Sequence, residues 1–204
     1  MTSPLVPDVA GLVTGVDGLA RCFWGASSEY LAYHDTEWGR PIHTDDGLFE
    51  RMSLEAFQSG LSWLTILRKR ESFRAAFAGF AIPAVAAFTE TDALRLMADP
   101  GIVRNRMKVD AAMTNARMAA ELPGGLAELL WSFAPEPLPR PATRAEVPAQ
   151  TPESKAMAKE LKKRGFKFVG PTTAYALMQA TGMVDDHLAG CHVPPVARQR
   201  APSA

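Results

Sequence analysis

Thr151-Pro-Glu-Ser-Lys-Ala-Met-Ala-Lys-Glu-Leu-Lys-Lys-Arg-Gly-Phe-Lys-Phe-Val-Gly-Pro171 is the stretch on which the fold turns. Thr151 is a helix N-cap residue, and Pro152 suits the first helical position. The spacing predicts a lysine-rich amphipathic helix from Ser154 to Arg164, stopped by Gly165. Pro171 then opens a second helix over Thr172 to Thr181, which Gly182 ends. The pattern is helix, glycine-containing hairpin, helix. Small Gly170 lets the main chain come close to a partner, and the amides at the start of the second helix point at an anion. Lys162, Lys163, Arg164 and Lys167 surround that point, with Gly165 in the turn. An ordinary helical hairpin is the alternative, but the basic rim favours a nucleic-acid backbone.

The charge distribution supports this reading. The chain has 204 residues, is 47% apolar and carries no formal net charge. Yet Glu153 to Gly170 holds six basic residues against two acidic ones, a local +4 that the remainder offsets. A basic patch on a neutral body is a footprint for a polyanion. No apolar run is long enough to span a membrane. Residues 1–20 have neither a basic start nor the apolar run of a signal peptide, which points to the cytoplasm. They read as a loose leader, and residues 193–204 as a flexible tail.

Between leader and hairpin the periodicity is helical. Asp45 can cap a helix whose apolar face runs Leu48, Phe49, Met52, Ala56. After a break at Gly60 come a helix over Leu61 to Arg70 and another over Glu71 to Phe80. Pro83 and Thr91 open two short helices, and Ile102 to Leu122 forms a longer one stopped by Pro123-Gly-Gly. No stretch alternates as a half-buried strand would. Six prolines between Pro135 and Pro152 mark an extended, exposed connector. The fold is mainly α, with residues 21–192 as a single unit.

Cys22 and Cys191 are the only cysteines, and each has a histidine nearby: His34 follows the first and His187 precedes the second. Two Cys and two His are what a closed tetrahedral zinc site requires, with no open position for water. Buried hydrophobic cysteines, a disulfide or a redox pair remain alternatives, and His192 could replace one ligand. His43 lies in a polar stretch and reads as solvated.

Glu55 falls on the apolar stripe of its helix, three residues after Met52 and seven after Leu48. A carboxylate there needs a partner or has a raised pKa. A boundary glutamate reaching solvent or Arg51 is the plainer reading. Trp24, Tyr30, Tyr33, Trp38 and Trp63 lie in the same short stretch of chain. Flat rings around a carboxylate can hold a flipped-out, electron-poor base, although such rings can also be core.

Four segments resemble 3-methyladenine DNA glycosylase I, the zinc-containing branch of the helix-hairpin-helix DNA glycosylases. They are Arg21-Cys-Phe-Trp24, Tyr30-Leu-Ala-Tyr-His-Asp-Thr-Glu-Trp-Gly39, Leu54-Glu-Ala-Phe-Gln-Ser-Gly-Leu-Ser-Trp63 and Leu161-Lys-Lys-Arg-Gly-Phe-Lys-Phe-Val-Gly170. The likeness covers Arg21 to His192. It implies a helix-hairpin-helix fold in which Cys22, His34, His187 and Cys191 bind a structural zinc joining the two ends. It implies further that Glu55 recognises the alkylated adenine and that Tyr33 and Trp63 line the base site, with Trp24, Tyr30 and Trp38 close by. The turn Gly165 to Gly170 corresponds to the DNA-holding hairpin. The activity implied is base-excision repair, hydrolysing the N-glycosidic bond of 3-methyladenine in alkylated double-stranded DNA, by a monomer with no membrane partner. Asp185 either assists the reaction or orients His187, and the second role is preferred.

Overall fold

A computed structural model of the chain describes residues 7–195. It shows nine α-helices and one two-stranded sheet among them. The described residues divide into two compact units, one built from 7–41, 134–149 and 178–195, the other from Ile42–Phe133 and Gln150–Leu177. The expected tail beyond residue 195 lies outside the described residues.

The larger unit is helical. Helices α2 (Asp45–Gln58) and α3 (Trp63–Ala76) supply most of its aromatic core. Leu48, Phe49, Met52, Leu54 and Phe57 of α2 are fully buried. Phe57 meets Phe73 at 4.7 Å, and Phe77 stacks on Phe80 at 5.3 Å. Helix α3 runs without the expected break between Arg70 and Glu71. Ile66, Phe73 and Phe77 repeat at seven and four residues on one buried face, so nothing favours stopping there. Ser62 caps α3 by accepting from the Thr65 amide. Thr89, rather than Thr91, starts α5 (Glu90–Ala98) through a capping box with Asp92, and α4 (Ile82–Ala86) carries Pro83 in its first turn. Helix α6 (Arg106–Ala120) turns Val109, Ala112 and Ala116 inward. Helix α7 (Gly125–Trp131) was not expected, because Pro123-Gly-Gly reads only as a stop. Its free Ala127 amide is satisfied from another helix, by the Asp45 carboxylate at 2.7 Å. Asp45 is therefore the first residue of α2, and the capping position belongs to Thr44. His43, exposed as expected, stacks on Trp131 at 4.3 Å.

The hairpin closes this unit. Helix α8 (Pro152–Lys163) begins at Thr151, which shares a capping box with Ser154. Gly165 takes a left-handed φ of 93°, and Phe166 plugs into the core. Helix α9 (Pro171–Ala180) follows, with the Gly170 carbonyl accepting from Ala174. Asn115 of α6, almost wholly buried, clamps the turn. Its Nδ2 donates to the Lys167 carbonyl at 3.0 Å, and its Oδ1 accepts from the Lys167 amide at 2.7 Å. Asn115→Ala would leave both backbone groups without that partner, at about 1–3 kcal/mol. Amide hydrogen exchange at Lys167 is expected to accelerate markedly; unchanged protection there would show that the clamp does not hold the turn.

The smaller unit carries the sheet. Strand β1 (Leu12–Thr14) pairs antiparallel with β2 (Ala20–Cys22), with Leu12 opposite Cys22. Part of the stretch expected to be a loose leader is thus ordered strand. Three residues are too few to show alternation, which is why the pattern was silent. Helix α1 (Leu31–Thr36) buries Tyr33 and His34. The proline-rich segment is irregular but anchored. Within it, Pro141 accepts from Ala189, the Arg144 amide donates to Ala10, and Arg140 pairs with Asp185 at 2.9 Å.

Candidate functional site

Four donors converge in the smaller unit. Strand β2 ends at Cys22, α1 carries His34, and the turn after α9 supplies His187 and Cys191; all four are buried. Their ligand atoms lie within 4.8 Å of one another. His187 Nδ1 is 3.8 Å from Cys22 Sγ and 3.6 Å from Cys191 Sγ, while His34 Nε2 is 3.6 Å from Cys191 Sγ. A tetrahedron with the usual zinc–sulfur and zinc–nitrogen bonds has edges of about 3.3–3.8 Å, so the set fits that ion. Only a glycine allows it, since a Cβ on Gly25 would collide with the His34 ring.

Thiol chemistry agrees with the geometry. The hydrogen bond between the cysteines, aided by His187 and His34, holds the Cys191 thiol well below its ordinary range. The same bond, together with burial, pushes the Cys22 thiol up. A divalent cation is what lets two such close sulfurs ionise together. The Leu188 amide donates to Cys22 Sγ at 3.4 Å.

The outer nitrogens of both imidazoles are also engaged. His34 Nδ1 donates to Asp35 at 2.7 Å, and His187 Nε2 donates to the Trp38 carbonyl at 3.2 Å. Asp35 further accepts from Arg21 and, at 3.0 Å, from His192. Burial opposes its charge, yet Arg21, His34 and His192 hold the carboxyl well below the usual carboxylate range. His192 therefore stands behind His34 and does not replace a ligand. Asp185 accepts from the His187 amide at 3.3 Å as well as from Arg140. Arg21 and Asp35 adjoin Cys22 and His34 in the chain, the one signal in the sequence that marks them.

Trp24, Tyr30, Tyr33 and Trp38 belong to the same unit as the four donors. Trp24 meets Trp38 at 4.9 Å and Tyr30 at 5.9 Å, both edge to face, and Tyr33 at 6.3 Å. A cavity of about 290 Å³ adjoins Trp24 and Trp38, lined also by Gln179, Asp186 and Cys22 among others.

Glu55 and Trp63 belong to the larger unit. Glu55 sits near the end of α2 and is only 6% exposed. Burial pushes its carboxyl up to about 8, with Arg51 one turn earlier pulling the other way. Of the plainer alternative, a glutamate reaching solvent or Arg51, the solvent half does not hold, while Arg51 does act on the carboxyl. Trp63 begins α3 across the corner Ser59–Ser62. Buried Lys108 secures that corner by donating to the Phe57 and Ser59 carbonyls at 2.8 and 2.6 Å. On the hairpin, Lys162, Lys163, Arg164, Lys167 and Gly170 are exposed, and Gly165 is half-buried. Arg164 is paired with Glu160 at 2.6 Å, which reduces its free charge. Phe168, also exposed, holds a left-handed φ of 56°, a strained backbone for an aromatic residue.

A family model described as methyladenine glycosylase matches residues 24–194. The chain is 44% identical to DNA-3-methyladenine glycosylase 1 of Escherichia coli over 180 residues, 85% of this chain and 96% of that protein. It is 46% identical to DNA-3-methyladenine glycosylase of Haemophilus influenzae over 178 residues, 84% of this chain and 96% of that protein. Among solved structures, 3-methyladenine DNA glycosylase I of Staphylococcus aureus, determined for its recognition of 3-methyladenine, aligns with a TM-score of 0.80 at 35% identity. The match covers 84% of this chain and 94% of that one.

Proposed function

The chain belongs to the methyladenine glycosylase family, and from that premise we propose how its own residues excise 3-methyladenine from alkylated DNA in base-excision repair. The observation that carries the reading is Glu55, a buried carboxylate whose affinity for a proton is raised by that burial. Such a group is poised to accept hydrogen bonds from a cationic base and to balance its charge.

The base must leave the stack before it can be read. The hairpin, a helix-hairpin-helix element in this reading, grips the phosphate backbone through Lys162, Lys163, Arg164, Lys167 and the amides near Gly165 and Gly170. A Cβ on Gly170 would meet nothing within 4 Å among the described residues, so internal packing does not call for a glycine there. Tyr33 and Trp63 stack on the extruded base, supported by Trp24, Tyr30 and Trp38. The bond between C1′ and N9 then breaks with its electron pair moving onto the cationic ring, which leaves neutral. Water forms the new C1′–O bond and gives up a proton. The leaving group carries its own positive charge, so little general-acid help is required. Neutral adenine lacks that charge and gains less from Glu55.

Cys22, His34, His187 and Cys191 hold zinc in this reading. With four protein ligands the ion's contribution is structural. Residues 21–192 act as one cytoplasmic glycosylase, a monomer on duplex DNA. The direct test is incubation with methylated duplex DNA and chromatography of the released bases. Release of 3-methyladenine is expected; intact bases with bound DNA would reduce the protein to a binding module.

The hairpin contributes affinity without sequence preference. Lys163→Ala and Lys167→Ala are each expected to weaken binding to any duplex and to lower its salt dependence by roughly one ion. Salt slopes equal to the parent's in both variants would move the DNA surface elsewhere.

A further inference from the structure

We propose that the metal centre is also a positioning device for base recognition, with His34 and His187 setting the rings of Trp24 and Trp38. The proposal rests on the reading of those two tryptophans as part of the base site. Four rings form a closed cycle of edge-to-face contacts. His34 meets His187 at 4.9 Å, His187 meets Trp38 at 4.7 Å, Trp38 meets Trp24 at 4.9 Å, and Trp24 returns to His34 at 5.0 Å. The interplanar angles run from 71° to 85°. In such a cycle no ring turns without displacing a neighbour, because interiors are packed at crystal-like density.

Each imidazole is fixed at two points besides its ring contacts. His187 has Nδ1 on the sulfurs and Nε2 donating to the Trp38 carbonyl. That bond ties the backbone of a base-site residue to a metal ligand. His34 has Nε2 on Cys191 and Nδ1 on Asp35. A ligand histidine bonded at both nitrogens has one tautomer and one ring orientation. Holding the ion fixes the imidazoles, and the imidazoles fix the indoles. The cavity lined by Trp24 and Trp38 is lined also by Cys22, so its shape also depends on the centre.

Thermodynamic reciprocity supplies the test. If the metal orders the indoles for the base, a bound base must hold the metal more tightly by the same factor. The zinc-loaded full chain is mixed with an excess of a chromophoric zinc chelator, with no addition, with saturating 3-methyladenine, or with adenine. At equilibrium with the chelator, the chain's zinc affinity is expected to rise about fivefold or more with 3-methyladenine, the low end of ordinary coupling, and to be unchanged by adenine. Saturation is read in the same samples from tryptophan fluorescence. Trp38→Leu keeps the backbone carbonyl for His187 but removes the ring; it should still load zinc, while the base no longer raises zinc affinity. In the cobalt-substituted parent, 3-methyladenine should also shift the visible ligand-field bands.

Bound 3-methyladenine with an unaltered zinc affinity and unaltered cobalt bands would overturn the coupling and leave the glycosylase reading intact. Failure of the loaded protein to bind 3-methyladenine at all would overturn the base-site reading, and this proposal with it. A purely structural ion would give the first of those results.

Discussion

Glu55→Gln is expected to release 3-methyladenine from methylated DNA more slowly by about 1–3 kcal/mol of lost stabilisation, roughly 5- to 150-fold. Glutamine keeps the shape but replaces a charged acceptor with a neutral amide that can also donate. The loss should appear in release of the base and in affinity for the free base. Zinc content and nonspecific DNA affinity should not change, since neither the four donors nor the hairpin includes this residue. A variant that binds and excises 3-methyladenine like the parent would remove Glu55 from the site and leave the aromatic rings to explain selectivity.

The same residue predicts a pH dependence. With its carboxyl pushed up to about 8, Glu55 is largely protonated in the free protein at neutral pH. Pairing with a cationic base favours the ionised form and releases the proton. The free-protein value governs kcat/KM, which should rise with pH up to about 8 and then level, while the Gln variant shows no such limb. Stability should move oppositely. The folded chain keeps this proton where the unfolded chain has lost it, between the ordinary value of 4.5 and about 8. The stabilisation is therefore complete below that window and is lost as pH rises through it. Glu55→Gln should gain stability relative to the parent over that range, measurable by denaturant melts at pH 5 and pH 8.5.

The second large effect concerns the ligands. Cys22→Ala or His187→Ala should abolish stoichiometric zinc and lower Tm by about 10 °C or more, because metal-binding free energy at a structural site is folding free energy. Residues more than 160 positions apart meet here, as the Cys22–His187 pair shows, and opening a long closed loop returns the most chain entropy to the unfolded state. Zinc content by elemental analysis and thermal melts of the same samples check this. Variants that keep their zinc would invalidate the ligand set.

The parts of the protein legible in sequence are those whose signals are local. Thr151-Pro152, Gly165 and Pro171 each act within one turn of backbone, so the helices flanking the hairpin could be placed to within a few residues. The four candidate donors were legible because each cysteine keeps a histidine within a short stretch of chain, and Glu55 because helical periodicity assigns it a face. Where the signal depends on a distant partner, the pattern was silent. Helix α7 takes its cap from Asp45, far back in the chain. Helix α3 continues past Arg70 because the Phe73 and Phe77 positions pack into a shared core.

Sequence by itself therefore determined the helical class, the hairpin with its basic rim, the donor types and the candidate carboxylate, since these follow from backbone preference, periodicity and side-chain chemistry. Tertiary structure alone decided that burial raises the Glu55 carboxyl, that Asp35 and the Trp38 carbonyl orient the two imidazoles, and that His34, His187, Trp38 and Trp24 close into one ring of contacts. Desolvation and ring orientation arise from residues far apart in the chain meeting in space. No short window of sequence contains both partners of such an interaction.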